Sequence, residues 1–229
     1  MNNVANKETI MVHEIYLSIQ GETSHSGVPC VFVRTQGCSL RCSWCDTVYA
    51  LDFKNRHMGK WLAKPYTLYQ VLEEVKRLGV QTVEVTGGEP LDQPAAPALL
   101  EALCEEGYTV LLETAGHKPI EHLDHRVHVI MDMKCPSSGM SKHMRLQNIL
   151  HLKKKDDVKF VVECREDYEW AKKMIDEYEI AQRANVLFSP SFNKIDSKRM
   201  ISWMLQDKLK ARFQLQIHKH IWDVEKKGV

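Results

Sequence analysis

Three cysteines lie close together in the first quarter of the chain. Cys38, Cys42 and Cys45 form a C-x₃-C-x₂-C run with no fourth cysteine nearby. Structural zinc sites close with four ligands, and ordinary electron-transfer clusters use four cysteines, so three cysteines leave one metal position open. An open position is typical of a metal centre that performs chemistry. The spacing therefore favours a reactive iron–sulfur cluster, and the alternative is a zinc knuckle completed by Cys30, Cys135 or a histidine.

Other polar clusters follow apolar, β-prone runs of the sequence. The Gly87–Pro90 loop (Gly-Gly-Glu-Pro) contains paired glycines, which permit close backbone approach to a ligand. The Pro136-Ser137-Ser138 turn offers hydroxyl groups that suit a ribose or a carboxylate, or that simply cap a helix. Both loops are candidates for binding a small molecule, and in both cases an ordinary turn is the alternative.

The elements that must position these clusters alternate along the chain. Predicted strands cover residues 30–33, 82–86, 108–112, 127–131, 158–162, 185–188 and 212–217. Predicted helices cover residues 67–79, 95–106, 141–152, 166–178 and 196–209. The first helix has the clearest ends, because Thr67 and Gln70 form a capping box and Gly79 can close the helix.

Strands separated by helices of this length require right-handed crossovers and a parallel sheet. The sequence therefore predicts an α/β fold, an open and partial (βα)₆ barrel, with the polar clusters at one rim. We expect a single domain over residues 1–229, with residues 1–10 as a flexible tail. Residues 50–64 do not fit this alternation of strands and helices, and they are interpreted as an insert beside the cysteines.

Composition restricts the possible partners and the compartment. The chain is 44% hydrophobic and 27% charged, as in ordinary globular proteins, and its formal net charge of +1 predicts no direct binding of nucleic acid or membrane. The N-terminus lacks the apolar core of a signal peptide. Seven cysteines are an odd number, which favours a reducing compartment over full disulfide pairing. We therefore expect a cytoplasmic protein.

The cysteine triplet, the later Gly-Gly-Glu-Pro loop and the α/β pattern together resemble the radical S-adenosylmethionine superfamily. This resemblance implies a [4Fe-4S] cluster on Cys38, Cys42 and Cys45, whose open iron binds S-adenosylmethionine. An electron donor such as a flavodoxin or ferredoxin then reduces the cluster, and cleavage of the sulfonium yields a 5′-deoxyadenosyl radical. The cofactor-binding residues that the resemblance implies are Trp44, Cys45, Asp46, Gly87, Gly88, Glu89, Pro136, Ser137 and Ser138.

Within that superfamily, residues 12–218 resemble the 7-carboxy-7-deazaguanine synthase family. The resemblance rests on the Gln20-Gly21-Glu22 turn, the Cys45-Asp46-Thr47 sequence and the His218-Lys219 pair. It implies contraction of 6-carboxy-5,6,7,8-tetrahydropterin to 7-carboxy-7-deazaguanine with loss of ammonia, a step toward queuosine. It also implies a homodimer and a Mg²⁺ ion bound by Thr47. The substrate-binding residues that it implies are Ile19, Gln20, Gly21, Glu22, Arg34, Thr86, Glu113 and His218.

The chemistry of these side chains agrees with such a substrate. Glu22 or Glu113 can accept from the adjacent donors of a pterin edge, and Arg34 can hold a carboxylate through two parallel hydrogen bonds. Two departures stand out: Thr23 occupies a position where the family commonly has glycine, and the tail beyond His218 cannot be matched to the family.

Three alternatives remain at this stage. One is an activase of a glycyl-radical enzyme, which would share the cysteine triplet and act on a large protein. The second is the zinc-binding module described above. The third is a separate metal site at His125 and His128, or at His218 and His220, although neither pair has obvious further ligands.

Overall fold

One sheet forms the centre of the part of the chain that the computed structural model describes, residues 8–52, 63–224 and 226–229. Its nine strands run in the order β3-β1-β2-β4-β5-β6-β7-β8-β9. The strands are β1 Thr9–Ile19, β2 Pro29–Thr35, β3 Lys64–Thr67, β4 Thr82–Gly87, β5 Thr109–Thr114, β6 His128–Met133, β7 Asp157–Val162, β8 Asn185–Pro190 and β9 Arg212–Phe213. The helices are α1 Leu68–Leu78, α2 Ala96–Glu105, α3 Arg165–Glu177, α4 Ile180–Arg183, α5 Ser197–Gln206 and α6 His218–Ile221.

Strands β2 and β4 to β9 pair in parallel, whereas β1 pairs antiparallel with both β2 and β3. Strands β3 and β9 lie at opposite edges of the sheet, so the barrel is not closed. The predicted open, partial (βα)₆ barrel is confirmed, with an antiparallel extension through β1 and β3. The assignment of all residues to one domain stays a prediction.

Alternate residues of the parallel strands face opposite sides of the sheet. Val83 and Val85 of β4, like Val158 and Phe160 of β7, pack in the hydrophobic core. The positions between them face a central cavity, and several of these carry charge. The polar residues that face it are Glu84 and Thr86 of β4, Glu113 of β5, Asp132 of β6 and Lys159 of β7.

Helix α1 begins and ends as the sequence predicts. Thr67 Oγ1 accepts a hydrogen bond from the Gln70 amide at 3.2 Å, and Gln70 Oε1 accepts one from the Thr67 amide at 2.9 Å. Gly79 follows with φ of 74°, in the left-handed conformation that favours glycine at a helix end. The capping box and the terminal glycine are both confirmed.

The prediction of a helix over residues 141–152 is wrong. Two short 3₁₀ segments, Ser141–His143 and Leu146–His151, stand in its place. The Arg145 amide donates to the carbonyl of Gly116 at 3.1 Å, and Asn148 Nδ2 donates to the same carbonyl at 3.0 Å. These bonds tie the segment to the connection after β5, and a continuous helix would break the first of them.

Both ends of the chain also differ from the sequence prediction. Residues 1–7 of the predicted tail lie outside the described residues, but Thr9 and Ile10 already belong to β1. The last strand ends at Phe213 rather than at residue 217, and His218 begins a short helix instead of following a strand. Most of the 50–64 segment lies outside the described residues. No helix in the described ranges is both long and apolar enough to span a bilayer.

Candidate active site

A cavity of about 690 Å³ lies on the inner face of the parallel strands and among the loops that follow them. Most of the predicted site residues line it. They are Ile19, Gln20, Gly21, Glu22, Arg34, Cys38, Cys42, Trp44, Cys45, Asp46, Thr47, Thr86, Gly87, Gly88, Glu113 and His218. The other four predicted residues, Glu89, Pro136, Ser137 and Ser138, are not part of its lining.

Residues 37–47, called the cysteine loop below, follow β2 and carry Cys38, Cys42 and Cys45. Backbone hydrogen bonds hold this loop in place. The Gly37 and Cys38 amides donate to the carbonyls of Ala50 and Leu51, at 2.7 and 3.2 Å. The three thiols carry no disulfide. Burial raises the pKa of the Cys38 thiol to about 11 and raises the pKa of Cys42 as well. Metal coordination requires the thiolate form, so a bound metal must displace these protons.

The donor set of this loop fits an iron–sulfur cluster. Cys38, Cys42 and Cys45 face the same cavity, but no three His, Cys, Asp or Glu side chains in the described ranges form a site for one metal ion. A cluster does not require such convergence, because each thiolate binds a different iron. Trp44 Nε1 is buried in the cavity lining without a hydrogen-bond partner. An unpaired buried donor beside the cysteines is suited to an acceptor on a bound cofactor.

The glycine loop after β4 packs against the cysteine loop. A Cβ atom at Gly88 would lie 2.2 Å from the Gly37 carbonyl oxygen and 2.9 Å from that of Ala50. Gly87 has φ of 150°, and a Cβ atom there would lie 2.4 Å from the Thr35 carbonyl oxygen. Both glycines are therefore required by contacts within the protein, in addition to any close approach by a ligand.

Glu89 holds two loops together inside the protein. Its carboxylate accepts hydrogen bonds from Thr114 Oγ1 at 2.9 Å, from the Ala115 amide at 2.8 Å and from the Leu91 amide at 3.0 Å. Glu89 is fully buried, and this burial raises its pKa to about 7. The carboxylate links the loop after β4 to the loop after β5. The structure therefore gives Glu89 an internal bracing contact and does not place it on the cavity.

The serine turn after β6 also uses its polar groups internally. Ser138 Oγ donates to the Cys135 carbonyl at 2.6 Å and accepts from the Met140 amide at 3.0 Å. The Ser137 hydroxyl donates to Asp167. The two serine carbonyls accept from Ser43 of the cysteine loop, at 2.8 Å from its hydroxyl and 3.1 Å from its amide. The turn thus supports the cysteine loop, and its hydroxyls are already engaged.

The far end of the cavity is built around the Gln20–Glu22 turn. The Glu22 amide donates to Gln20 Oε1, and Gln20 Nε2 donates to Glu84 Oε2 at 2.5 Å. Burial, with Glu113 and Glu22 nearby, raises the pKa of Glu84 to about 8. Thr23 closes the turn with φ of 62°, which accounts for the family preference for glycine at this position.

Lys159 bridges two of the predicted substrate residues. Its Nζ atom lies 2.8 Å from Glu22 Oε2 and 2.5 Å from Glu113 Oε1. Thr86 Oγ1 donates to the other oxygen of Glu113 at 3.1 Å. Lys159 lowers the pKa of Glu113 against the opposing effect of burial. The two glutamates thus face the cavity as acceptors held by a common cation.

Arg34 lies on β2 between this region and the cysteine loop. Its Nε donates to Glu14 Oε1 at 3.0 Å, and its Nη2 donates to the Tyr16 hydroxyl at 3.0 Å. The Tyr49 hydroxyl donates to the same Glu14 oxygen at 3.2 Å. Arg34 therefore has a structural ion pair, as well as a position on the cavity wall.

The C-terminal segment completes the cavity. Gln216 Nε2 donates to Glu22 Oε1 at 2.8 Å, and Lys219 Nζ lies 2.8 Å from Asp46 Oδ2. A Cβ atom at Gly21 would lie 2.2 Å from His218 Nδ1, so the glycine admits the imidazole. Burial lowers the pKa of His218, which favours its neutral form. From the tail beyond His218, Val224, Lys226, Lys227, Gly228 and Val229 also line the cavity.

Thr47 follows the last cysteine and faces the cavity. Its Oγ1 lies 3.4 Å from Asp46 Oδ1 and 3.9 Å from Cys45 Sγ. The hydroxyl therefore stands between the cysteine loop and the open cavity, beside a carboxylate.

Sequence reasoning missed several charged residues of the cavity, namely Glu84, Asp132, Lys134 and Lys159. Lys134 Nζ lies 2.8 Å from Asp132 Oδ2 and 4.9 Å from the centre of the Trp44 ring. The available signal was a charge inside an otherwise apolar strand, as at Glu84 between two valines. In a parallel strand covered on both faces, such a charge indicates a polar interior.

The amino-acid sequence is similar to one protein family model and to several known synthases. The Radical SAM superfamily model matches residues 32–132, which extend from β2 into β6. The 7-carboxy-7-deazaguanine synthase of Chlorobaculum tepidum is 40% identical over 221 residues, which cover 95% of this chain and 96% of that protein. The 7-carboxy-7-deazaguanine synthase of Koribacter versatilis is 38% identical, over 96% of this chain and 100% of that protein.

Two solved structures share the fold. QueE from Escherichia coli superposes with a TM-score of 0.75 at 22% identity, covering 93% of this chain and 96% of that chain. Streptococcus suis SuiB, bound to the precursor peptide SuiA, superposes with a TM-score of 0.56 at 15% identity and covers 80% of this chain and 47% of that chain. The glycyl-radical activase and the zinc-binding module find no support among the named relatives. From its identity to synthases over nearly their whole length, this chain belongs to the 7-carboxy-7-deazaguanine synthase family of the radical S-adenosylmethionine superfamily.

Proposed function

We propose that this chain contracts 6-carboxy-5,6,7,8-tetrahydropterin to 7-carboxy-7-deazaguanine, with loss of ammonia, as a step toward queuosine. The observation that carries the proposal is one cavity that contains both the cysteine loop and the Glu22–Lys159–Glu113 group. Relatives named for this product, identical at 38–40% over nearly the whole chain, support it.

The pterin edge binds to the glutamate side of the cavity in this proposal. Glu22 and Glu113 accept from its adjacent N–H groups. Gln20 Oε1 fixes the turn by accepting from the Glu22 backbone amide, and Thr86 Oγ1 donates to the Glu113 carboxylate. His218, which contacts Gly21 and favours the neutral form, donates or accepts one further hydrogen bond. Ile19 and Gly21 shape the floor beside it.

The substrate carboxylate points toward Arg34 and Thr47. The Arg34 guanidinium has five N–H donors, and Glu14 and Tyr16 account for two of them. The remaining donors can hold a carboxylate at the cavity wall. Thr47 would supply one oxygen ligand to Mg²⁺, an ion that keeps several waters and takes few protein ligands, and the ion would offset negative charge on the substrate.

S-adenosylmethionine, when bound at the cluster, supplies the radical that starts the ring contraction. The residues that hold it in this proposal are Trp44, Asp46 and the Gly87–Gly88 backbone, which all line the cavity near the cysteines. Trp44 Nε1 offers its unpaired donor to the cofactor. The serine turn and Glu89 act indirectly, since they brace the loops that present these groups.

The remaining parts of the proposal follow from the family. The electron donor would be a flavodoxin or a ferredoxin, and two copies of the chain would form a homodimer. The reducing environment that such a cluster needs supports a cytoplasmic location.

Anaerobic binding with matched ligands tests the substrate assignment. The cluster-loaded protein, with S-adenosylmethionine and Mg²⁺, is titrated with 6-carboxytetrahydropterin and with tetrahydropterin that lacks the carboxylate. The proposal predicts saturable binding of the first and a clearly weaker binding of the second. Equal affinity for both ligands would remove the role of Arg34 and Mg²⁺, and no binding of either would remove the pterin substrate.

A further inference from the structure

Lys159 is a buried charge in the middle of strand β7. Its neighbours Val158 and Phe160 point into the hydrophobic core, whereas Lys159 points into the cavity and is only 3% exposed. Removing an ammonium group from water is unfavourable unless charged or polar partners compensate for it. The ion-pair partners of Lys159 must therefore compensate for the loss of hydration of its ammonium group.

Those partners come from three separate parts of the chain. Lys159 Nζ lies 2.8 Å from Glu22 of the β1–β2 turn, 2.5 Å from Glu113 of β5 and 3.6 Å from Asp132 of β6. The second oxygen of Glu22 accepts from Gln216 at 2.8 Å. The second oxygen of Glu113 accepts from Thr86 at 3.1 Å. Each glutamate is thus fixed at both oxygens.

Around the Lys159 ammonium group, carboxylates outnumber cations. Glu84 lies close to Glu113 and Glu22, and Asp132 is already paired with Lys134 at 2.8 Å. His218 also faces Glu22 and favours the neutral form. Burial and mutual repulsion raise the pKa of Glu84 to about 8, whereas Lys159 lowers the pKa of Glu113. Without this lysine, burial and the repulsion from Glu84 would act on the pKa of Glu113 without an opposing cation at this distance.

We propose that Lys159 is a positioning residue that holds Glu22 and Glu113 in place as an aligned pair of acceptors for a heterocycle with adjacent N–H donors. The inference rests on the proposed function, since it assigns the glutamates to the pterin edge. A protonated glutamate presents a donor where the substrate also presents one, so the loss of the charge weakens binding. The lysine therefore sets selectivity for the donor-rich edge without contacting the reacting atoms.

The test uses Lys159→Met and Lys159→Arg in the cluster-loaded protein with bound S-adenosylmethionine. The affinity for 6-carboxytetrahydropterin is measured anaerobically from about pH 6 to about pH 9. We expect Lys159→Met to bind about tenfold more weakly at neutral pH and to recover as rising pH ionises Glu113. Lys159→Arg keeps the charge and should retain most of the affinity. Lys172→Met, which removes a lysine paired with Asp207 on the outer helix α3, should bind normally.

A second variant covers the case in which Lys159→Met does not fold. Lys159→Gln combined with Glu113→Gln removes one charge of each sign, and it should bind weakly at every pH because the amide at position 113 cannot ionise. A pterin analogue without the 2-amino group should lose less affinity than the substrate does in either variant.

The outcomes separate this inference from the function on which it rests. Wild-type protein that fails to bind the pterin contradicts the proposed function. Wild-type protein that binds it, with Lys159→Met or the double variant equally tight across the pH range, overturns the role of Lys159. A weakened Lys159→Met that shows no recovery at high pH, and no difference between the substrate and the analogue, overturns it as well.

Discussion

Gly88 lies directly against the backbone of Gly37. This contact joins the glycine loop after β4 to the cysteine loop. The Glu89 amide donates to the Gly37 carbonyl at 2.8 Å, and a Cβ atom at position 88 would lie 2.2 Å from that same oxygen. The two loops therefore form one packed unit. A side chain at position 88 would therefore have to displace the backbone of the cysteine loop, because the packing leaves no space for a Cβ atom.

Gly88→Ala should lower both the iron content and the stability of the protein. The added methyl group must displace the Gly37 carbonyl, and overpacking of this kind costs about 1–3 kcal/mol. Gly107→Ala is a matched control, since a Cβ atom there meets nothing within 4 Å although φ is +87°. The control should lose stability but keep its iron. Iron and sulfide analysis with thermal unfolding measures both effects, and a Gly88→Ala protein with full cluster content would contradict the packing argument.

Replacement of Cys38, Cys42 or Cys45 by Ala should abolish cluster assembly and turnover. Each of the three thiols lines the cavity, and loss of one leaves an iron without its ligand. Cys104→Ala is the control, because this thiol lies in helix α2 and packs in the hydrophobic core. Iron and sulfide content decides the question. A complete and active cluster in any of the three variants would exclude the assignment of these ligands.

Arg34→Met should weaken both folding and substrate binding, because the guanidinium pairs with Glu14 and also faces the cavity. Loss of a buried charge-assisted contact to the substrate carboxylate costs about 2–5 kcal/mol. Addition of Glu14→Gln removes the unpaired carboxylate and should restore the free energy of unfolding, but not the affinity. Denaturant unfolding and ligand titration separate the two roles. A double variant that recovers both properties would mean that Arg34 serves only the ion pair.

Thr47→Ala should blunt the Mg²⁺ dependence of product formation and leave the cluster intact. Its hydroxyl is a candidate oxygen ligand beside Asp46, whereas the cluster is held by cysteine thiolates. Thr47→Ser, which keeps the hydroxyl, should retain the response to Mg²⁺. Product formation titrated with Mg²⁺ tests this difference. An unchanged response in Thr47→Ala would assign the ion to other ligands.

Glu84→Gln should become more stable relative to the wild type as pH rises. The folded-state pKa of Glu84 is about 8, above its usual value of 4.5, so folding takes up a proton between these values. The wild type then loses stability as pH rises through this window, by up to about 1.4 kcal/mol per pH unit, and glutamine removes this loss. Denaturant unfolding of both proteins at several pH values measures the difference. A difference that stays constant between pH 4.5 and 8 would show that Glu84 is ionised in the folded state.

The sequence alone predicts the features that depend on local spacing. The cysteine run, the paired glycines after β4 and the capping box of α1 each depend on neighbouring residues, and each lies where the pattern indicates. The parallel strands follow from apolar runs separated by helices. The rim of the sheet then brings together residues as distant as Arg34 and Glu113.

Contacts between residues far apart in the chain could not be predicted from the sequence. Lys159 and Glu22 are 137 positions apart, so no local pattern reveals their ion pair. Glu89 and Ser137 follow strands as a binding loop would, yet Thr114 and Asp167 occupy their polar groups. The helix predicted over residues 141–152 fails for the same reason, because the connection after β5 takes its amide groups.

Product analysis under anaerobic conditions is the most direct test of the proposed ring contraction. The cluster-loaded protein is incubated with S-adenosylmethionine, dithionite, Mg²⁺ and 6-carboxy-5,6,7,8-tetrahydropterin, and the products are identified by mass. We expect a product lighter than the substrate by one ammonia molecule, with the mass of 7-carboxy-7-deazaguanine, and no such product without S-adenosylmethionine. Cleavage of S-adenosylmethionine with the pterin recovered unchanged would contradict the ring contraction, since the radical would then have another substrate.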